Sequence, residues 1–243
     1  MLMINMKKLK FVFLFLLICF TVSDSSGQSK DPDDILDRVK ASFIMIEDYE
    51  VDIQIKVDVD FLKVPDSEAK LYFKQPNKIH VEAEKFALLP RQGLDFSPLG
   101  LLSGKYTALY EREDTVRGLP TSVVKIIPLG SDGDIILSTF WVDQSRDLII
   151  RMESTKKPTG TFTIDFTYER YDDNYELPSQ MEFTFTVDRM MFPRGMDGQS
   201  DTDDDSDKKS NSTTGKVYIT YANYKVNQGL PDELFETEKD GIK

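Results

Sequence analysis

The acidic segment between residues 195 and 215 holds the densest set of potential metal ligands in the chain. Four of its aspartates occupy alternate places of an EF-hand-like loop: Asp201, Asp203, Asp205 and Asp207. The sixth place, which needs Gly for a sharp turn, is Ser206, and the twelfth, which needs a bidentate Glu, is Ser212. Because the segment has almost no apolar residue, we predict a disordered, solvated loop and no metal or cofactor.

Residue types that perform acid–base or nucleophilic catalysis are scarce. The single His, His80, lies on the polar side of a β pattern, and the single Cys, Cys19, lies in an apolar run. The sequence contains no nucleophile elbow, phosphate loop, dinucleotide fingerprint or His-Glu-x-x-His stretch. Carboxylate pairs such as Glu82 and Glu84 leave a paired-carboxylate hydrolase open, but nothing favours it. We predict that the chain is not an enzyme and has no catalytic residue.

The charge balance argues against two further classes of binding partner. The chain has 42 acidic and 30 basic residues among 243, which gives a formal net charge of −12. Nucleic-acid-binding proteins normally carry a basic surface, so we expect no nucleic-acid partner. The same balance argues against electrostatic docking of the whole protein on an anionic membrane.

The N-terminus has the pattern of a secretory signal peptide. A lysine-rich stretch, Lys7–Lys10, precedes an apolar run, Phe11–Phe20, and Ser25 and Gly27 are small residues suited to a cleavage site. The alternatives are a lipoprotein signal and an uncleaved anchor, although the run is shorter than the roughly 20 residues that span a bilayer. Cleavage after Gly27 leaves residues 28–243. This domain contains no cysteine, which fits a Gram-negative periplasm better than a disulfide-rich secreted scaffold.

The elements that follow are one helix and then strands. Asp31-Pro32 is a helix start, and apolar residues at three- and four-residue spacing from Ile35 to Ile46 predict one buried stripe, with an end near Asp48. From Val51 onward the apolar residues alternate with polar ones, which is typical of half-buried strands.

The recurrence of this alternation predicts the fold class. About ten antiparallel strands, each with one apolar side, indicate a mainly β protein with a few helices and a single curved sheet. We expect the N-terminal helix and a short lid near Pro98–Ser103 to cover its concave side. Phe86–Leu102, apolar but interrupted by Pro and Gly, is expected to pack as a flap. Either helix and flap fill the concavity, or the remaining space accepts an acyl chain.

Four stretches resemble the periplasmic lipoprotein carrier LolA and its relatives, the outer-membrane lipoprotein-sorting proteins. They are the helix running into a long strand (Ile35–Val59), the hairpin Ala69–Lys78, the strand pair Trp141–Arg151 and the closing segment Tyr224–Phe235. The resemblance implies an unclosed half-barrel of about eleven strands with a helical lid and no enzymatic activity. Where the best-known carriers have an Arg before the hairpin proline that helps to hold the lid closed, this chain has Gln75.

The resemblance also implies the binding residues. The predicted lipid-binding positions are Ile53, Ile55, Val57, Leu71, Phe73, Ile79, Val81, Phe183 and Phe185. The predicted lid positions are Val39, Phe43, Leu99 and Leu101.

The sequence therefore predicts a monomeric periplasmic carrier. It would bind the acyl chains of lipoproteins or lipids and serve outer-membrane lipoprotein sorting, with an inner-membrane donor and an outer-membrane acceptor as partners. The alternative is an envelope sensor or regulatory scaffold of the same fold that binds a protein partner.

Overall fold

Helix α1, Pro32–Phe43, begins where the sequence predicts it. The Asp31 carboxylate caps the first turn, accepting a hydrogen bond from the backbone N–H of Asp33 at 3.0 Å, and Pro32 occupies the first helical position. The helix ends at Phe43, earlier than the predicted end near Asp48, for a reason described with the site below.

The architecture comes from a computed structural model that describes residues 30–60, 63–83, 100, 102, 104–130, 134–158, 160–172, 175–188 and 212–236. The helices and strands of the described residues belong to one unit, Asp31–Lys243. The predicted signal peptide, residues 1–27, lies outside the described residues, as does most of the acidic segment. The last residues of that segment, from Ser212, are already part of a strand.

Ten strands follow α1, and a short 3₁₀ helix, Asp232–Phe235, follows them. The strands are β1 (Asp48–Asp58), β2 (Ser67–Lys74), β3 (Lys78–Glu82), β4 (Tyr106–Val116), β5 (Leu119–Pro128), β6 (Ile135–Asp143), β7 (Ile149–Lys156), β8 (Gly160–Tyr171), β9 (Tyr175–Asp188) and β10 (Ser212–Val226). Of the second predicted helix, Gly100 and Leu102 are helical, and Leu102 is buried in the core.

All ten strands form one antiparallel sheet in the order β3-β2-β1-β10-β9-β8-β7-β6-β5-β4. The first strand lies beside the last, with Ile55 opposite Ile219. Because β3 and β4 are the two edges and do not pair with each other, the sheet is unclosed. The predicted fold class is confirmed, with ten strands in the described residues where the resemblance implied about eleven.

Curvature follows from irregular pairing. Register shifts interrupt the ladders of β1 with β10, β4 with β5, β6 with β7, and β8 with β9. A β-bulge bends its strand and increases the local twist, so several of them let one sheet wrap around α1.

The two faces of the sheet differ in composition. Along β1, Val51, Ile53 and Ile55 point into the core, while Gln54 and Lys56 between them are exposed. We call the face that carries the core and α1 the concave face, and the other the convex face. None of the helices in the described part of the chain has the length and apolar character needed to cross a bilayer.

Candidate functional site

The concave face is one connected apolar cluster that reaches from β1–β3 through β8–β10 to β4–β7 and includes α1. The nine predicted lipid-binding positions all belong to it. Five are buried (Ile53, Ile55, Leu71, Phe73 and Phe183), and four are half-buried against them (Val57, Ile79, Val81 and Phe185). The structure thus brings together the residues that the alternation selected.

Two of the four predicted lid residues lie on α1 and pack onto this cluster. Val39 is fully buried, and Phe43 is half-buried with its ring centroid 6.5 Å from that of Tyr168 on β8. The other two, Leu99 and Leu101, lie outside the described residues.

Burial is not uniform along the strands, and this separates two ends of the concave face. On β1, Ile55 is buried whereas Val57, two residues on, is half-buried. Val57 pairs with Val217 on β10, and Val217 in turn pairs with Phe183 on β9. Two residues after Phe183 on that strand, Phe185 is half-buried. We call this end of the sheet, where β4 and β10 begin and β5 ends, the open end, and the opposite one the closed end.

Phenylalanines line the open end. Phe183 lies between Phe162 and Phe185, with centroid separations of 5.2 and 5.1 Å. Phe185 lies directly opposite Gly215, where an added Cβ would come within 2.9 Å of the Phe185 ring and 3.0 Å of Val59. Since a real Cβ does not tolerate such contacts, the glycine allows the Phe185 ring to lie across β10.

Tyrosines line the closed end. The Tyr49 ring stacks on Phe73 at 5.0 Å and meets the edge of Tyr224 at 5.4 Å. The Tyr224 hydroxyl donates to the carbonyl of Pro178 at 2.7 Å. Burial raises the pKa of four inward-facing phenols well above the ordinary value: Tyr49, Tyr168, Tyr221 and Tyr224. These rings therefore remain neutral, and they contribute apolar area without charge.

Gln75, in the turn between β2 and β3, fixes the end of α1. Its side-chain Nε2 donates to the carbonyls of Phe43 at 3.0 Å and Ile46 at 2.7 Å, and its backbone N–H donates to Glu47 at 2.8 Å. These carbonyls are oriented toward the hairpin and not along a continuing helix, which explains the early end of α1. The Gln75–Pro76 peptide bond is cis. At the position where the resemblance led us to look for Arg, a neutral amide makes the contact between hairpin and lid.

Three more contacts hold α1 over the sheet. The Arg38 guanidinium pairs with Asp147, in the turn between β6 and β7, at 3.0 Å, and the Ser42 hydroxyl donates to the Asp147 carbonyl at 3.3 Å. The Lys40 ammonium lies 5.5 Å from the Tyr106 ring centroid on β4. The hydrogen bond to Tyr106 raises the Lys40 pKa, with a smaller contribution from Asp37. The helix is therefore attached to both halves of the sheet.

A buried carboxylate closes the same end from the C-terminal side. Asp48, 3% exposed, accepts hydrogen bonds from the backbone N–H groups of residues 228, 229 and 230 at 2.8, 2.9 and 3.0 Å. The Asn227 side chain accepts from the Glu47 N–H and donates to the Met45 carbonyl, both at 2.8 Å. Sequence reasoning missed the structural roles of Asp48, the first residue of β1, of Asn227, which precedes Gln228-Gly229, and of Gln75.

The remaining candidates for chemistry lie on the convex side. The Tyr72 hydroxyl donates to Glu82 at 3.0 Å, and His80 Nε2 lies 3.8 Å from the same carboxyl group. Burial, followed by the hydrogen bond to Glu82, raises the pKa of Tyr72 to about 12. Glu84, the other half of the predicted carboxylate pair, lies outside the described residues. In the part of the chain that the structure describes, no three or more His, Cys, Asp or Glu side chains are grouped so that they could hold a metal ion.

Some proteins of known structure share this architecture. No protein-family model matches the chain, and neither does any curated protein sequence. Among solved structures, a LolA superfamily protein of Nitrosomonas europaea matches with a TM-score of 0.57 at 12% identity, covering 84% of this chain and 96% of the other. A DUF1329 family protein of Desulfovibrio piger matches with a TM-score of 0.55 at 16% identity, covering 86% and 98%.

A third solved structure is a domain of an outer membrane lipoprotein-sorting protein of Vibrio parahaemolyticus. It matches with a TM-score of 0.52 at 12% identity, covering 84% of this chain and 95% of the other. At such low identity the likeness concerns the fold, and it spans nearly the full length of each solved structure. The unclosed ten-stranded sheet and its covering helix therefore form a LolA-like fold.

Proposed function

We propose that this chain is a non-enzymatic carrier of the Gram-negative periplasm that shields the acyl chains of lipoproteins or lipids on its concave face. The observation that carries the proposal is the extent of that face. One apolar cluster crosses all ten strands. Among the described residues that precede β1, a single helix of 12 residues covers it. Burying an acyl chain on such a surface yields about 0.8 kcal/mol per methylene.

The gradient of burial indicates where a chain would enter. The half-buried Val57 and Phe185 lie toward the open end, whereas Asp48, Gln75 and Asn227 fasten the closed end with polar contacts. We infer that acyl chains enter from the open end and lie along the phenylalanines. Movement of α1 away from the sheet would enlarge the space, and its return would exclude water. No covalent step is required.

Native mass spectrometry of the protein, purified from its own periplasm without detergent, tests the proposal. A mass excess that extraction resolves into lipid or acylated peptide supports a carrier and identifies its cargo. A clean mass, with no uptake of added acylated peptide, would contradict it. Stoichiometric capture of a defined protein under those same conditions would support the alternative, an envelope sensor or scaffold.

Val57→Glu provides the sharper mutational test, because Ile55 and its inward neighbours are so buried that a charge there would unfold the sheet. Val57 is half-buried, so the new carboxylate can reach water in the empty protein but not beneath a bound chain. We expect acylated-peptide affinity to fall by about tenfold or more.

Thr220→Glu is the matched control for this variant. It adds the same charge on β10, at an exposed position whose cross-strand neighbours, Gln54 and Gln180, are neutral. Calorimetry of peptide binding, together with urea unfolding, should show lost affinity in Val57→Glu only. Equal loss of affinity in both variants would oppose binding on the concave face.

A further inference from the structure

We propose that the convex corner of the open end, formed by the beginning of β4 and the end of β5, docks on a phospholipid bilayer that contains anionic headgroups. Three large apolar side chains that are exposed to solvent lie there: Leu109 (51%), Ile127 (38%) and Leu129 (56%). The inference goes beyond cargo binding, because it concerns the surface from which cargo would be exchanged.

The strand register places these three side chains together. Ile127 lies opposite Thr107, and Leu109 is the next residue on the same face of β4, so the two aliphatic side chains are diagonal neighbours. The Leu129 N–H donates to the Lys105 carbonyl at 2.8 Å, which holds Leu129 at the start of β4. Ile136, 43% exposed, lies at the same end of the sheet but on the side of Ser138, which pairs with the core residue Ile126, so it belongs to the concave side and not to this corner. The corner is thus a single apolar surface.

Lysines surround this surface. Lys105 and Lys157 have no ion pair within the described residues. Lys125, opposite Leu109, lies 3.2 Å from Glu111, and Glu111 also pairs with Arg112. Among the described residues, the three lysines at this corner therefore have one carboxylate as an ion-pair partner.

Aliphatic side chains within a ring of lysines match the chemistry of a bilayer interface. The aliphatic groups can enter the acyl boundary while the long lysine stems place their charges at headgroup phosphates. The net charge of −12 does not prevent this, because charges more than about 8 Å away are largely screened at physiological ionic strength. An overall acidic protein with one cationic, apolar corner would approach a membrane by that corner.

Flotation with phosphatidylethanolamine vesicles, with and without phosphatidylglycerol, tests the inference on the full protein. We expect it to float with the vesicles that contain phosphatidylglycerol. The double change Ile127→Asp and Leu129→Asp should weaken vesicle binding by about tenfold or more. Lys105→Glu combined with Lys157→Glu should remove the preference for phosphatidylglycerol.

A matched control exists at the closed end. Ile44 and Met45 are the other adjacent exposed aliphatic residues, at 67% and 66% exposure, so Ile44→Asp with Met45→Asp makes the same chemical change elsewhere. Vesicle binding should be unaffected by it. Equal loss in both double variants, or no flotation of the unaltered protein, would overturn the inference.

Two further outcomes separate this inference from the proposed carrier function. Val57→Glu should still float while losing acylated peptide, whereas peptide binding without flotation would overturn the docking inference alone. If light scattering instead shows a dimer that Leu129→Asp dissociates, the corner is an interface between two copies of the chain and the docking inference is wrong. Capture of a defined protein on the same residues would contradict it equally.

Discussion

The same strands build both faces of the sheet, and the two faces are held together by different physics. On β7 the side chain of Met152 is fully buried in the concave cluster, while the preceding Arg151 makes a double hydrogen bond to Asp165 on the convex side, at 2.8 and 3.2 Å. Other convex pairs cross neighbouring strands in the same way, such as Lys70 with Glu50 and Lys216 with Glu182, both at 2.6 Å.

This comparison indicates which face stabilises the fold. Half-exposed ion pairs contribute little, because solvent screens the attraction and ordering two long side chains costs entropy. Their alternating charges keep the convex face soluble and oppose register slips. The concave face supplies the burial on which stability depends, and the same burial makes it the surface able to receive an apolar ligand.

Alkaline pH should have the largest effect on the free energy of unfolding, and the effect should come from the tyrosines of the concave face. The raised pKa values of Tyr49, Tyr168, Tyr221 and Tyr224 mean that these phenols keep their protons when folded and lose them when unfolded, at about pH 10. Their contribution to stability is complete below that pH and falls as the pH rises, by up to about 5 kcal/mol per pH unit for the four together.

Urea unfolding between about pH 8 and pH 11 measures this slope. Tyr221→Phe should reduce it by about a quarter, because within the described residues the hydrogen bond of its hydroxyl is to the Met181 sulfur, at 3.8 Å. Tyrosinate absorbance at full native circular dichroism would contradict the assignment of these rings to a dry face.

Adjacent residues of β7 allow a direct comparison of the faces. We expect Met152→Ala to lower the free energy of unfolding by about 2–5 kcal/mol, because it leaves a cavity in the core. Arg151→Ala should lower it by less than about 1 kcal/mol. Chemical denaturation of both variants gives the two values, and similar losses would show that the convex pairs matter more than we infer.

Gln75→Ala sharpens the comparison at the junction between lid and sheet. The variant leaves the Ile46 carbonyl without its Gln75 donor and removes one of the two donors to the Phe43 carbonyl, at a cost of about 1–2 kcal/mol. Amide hydrogen exchange in α1 should accelerate by about 5–30-fold, while the central strands exchange as before.

Gln228→Ala is the control for the lid, since in the described part of the chain that side chain donates to the nearby Val226 carbonyl, at 2.9 Å, and not to α1. It should leave exchange in α1 unchanged. Uniform acceleration across all strands in Gln75→Ala would mean that the turn supports the whole sheet and not the lid.

The smallest effect is expected at the convex ion pairs of the C-terminal segment. Lys74 and Lys78 lie 2.7 and 2.9 Å from Asp232, and their hydrogen bonds lower the pKa of that carboxyl to about 2. A depressed carboxyl pKa stabilises the fold above the unfolded value and loses that contribution as the pH falls toward 2.

The Asp232→Asn variant should therefore be slightly less stable than the unaltered protein at neutral pH. Urea unfolding should show the two curves converging as the pH approaches about 2. If the difference in stability between the two proteins is equally large in acid, the ion pairs of Asp232 are not its cause.

The local sequence pattern was sufficient to predict much of the fold. The Asp31-Pro32 start of α1 and the alternation from Val51 to Val57 depend on neighbouring residues only, and the structure confirms both elements. Since period two fixes which side chains face inward, the nine predicted concave positions also fell on one cluster.

The parts that could not be predicted depend on distant partners. The end of α1 is set by Gln75, 29 positions after Ile46, and Asp48 finds its donors 180 positions away. Nothing in the local sequence of β1 indicates that its neighbour is β10. Buried polar contacts of this kind have no periodicity, so only the assembled chain reveals them.

The strand order has a consequence for how the chain acquires its structure during synthesis. The three strands β1–β3 connect to the other seven through a single ladder, that of β1 with β10. A ribosome that has released everything up to the start of β10 has still not supplied the strand that joins the two halves. Pairing over so long a separation is slow, so the apolar surface of both halves stays exposed until the last strand arrives. We therefore expect C-terminal truncation to be far more damaging to the yield of folded protein than a change of equal size in the turns.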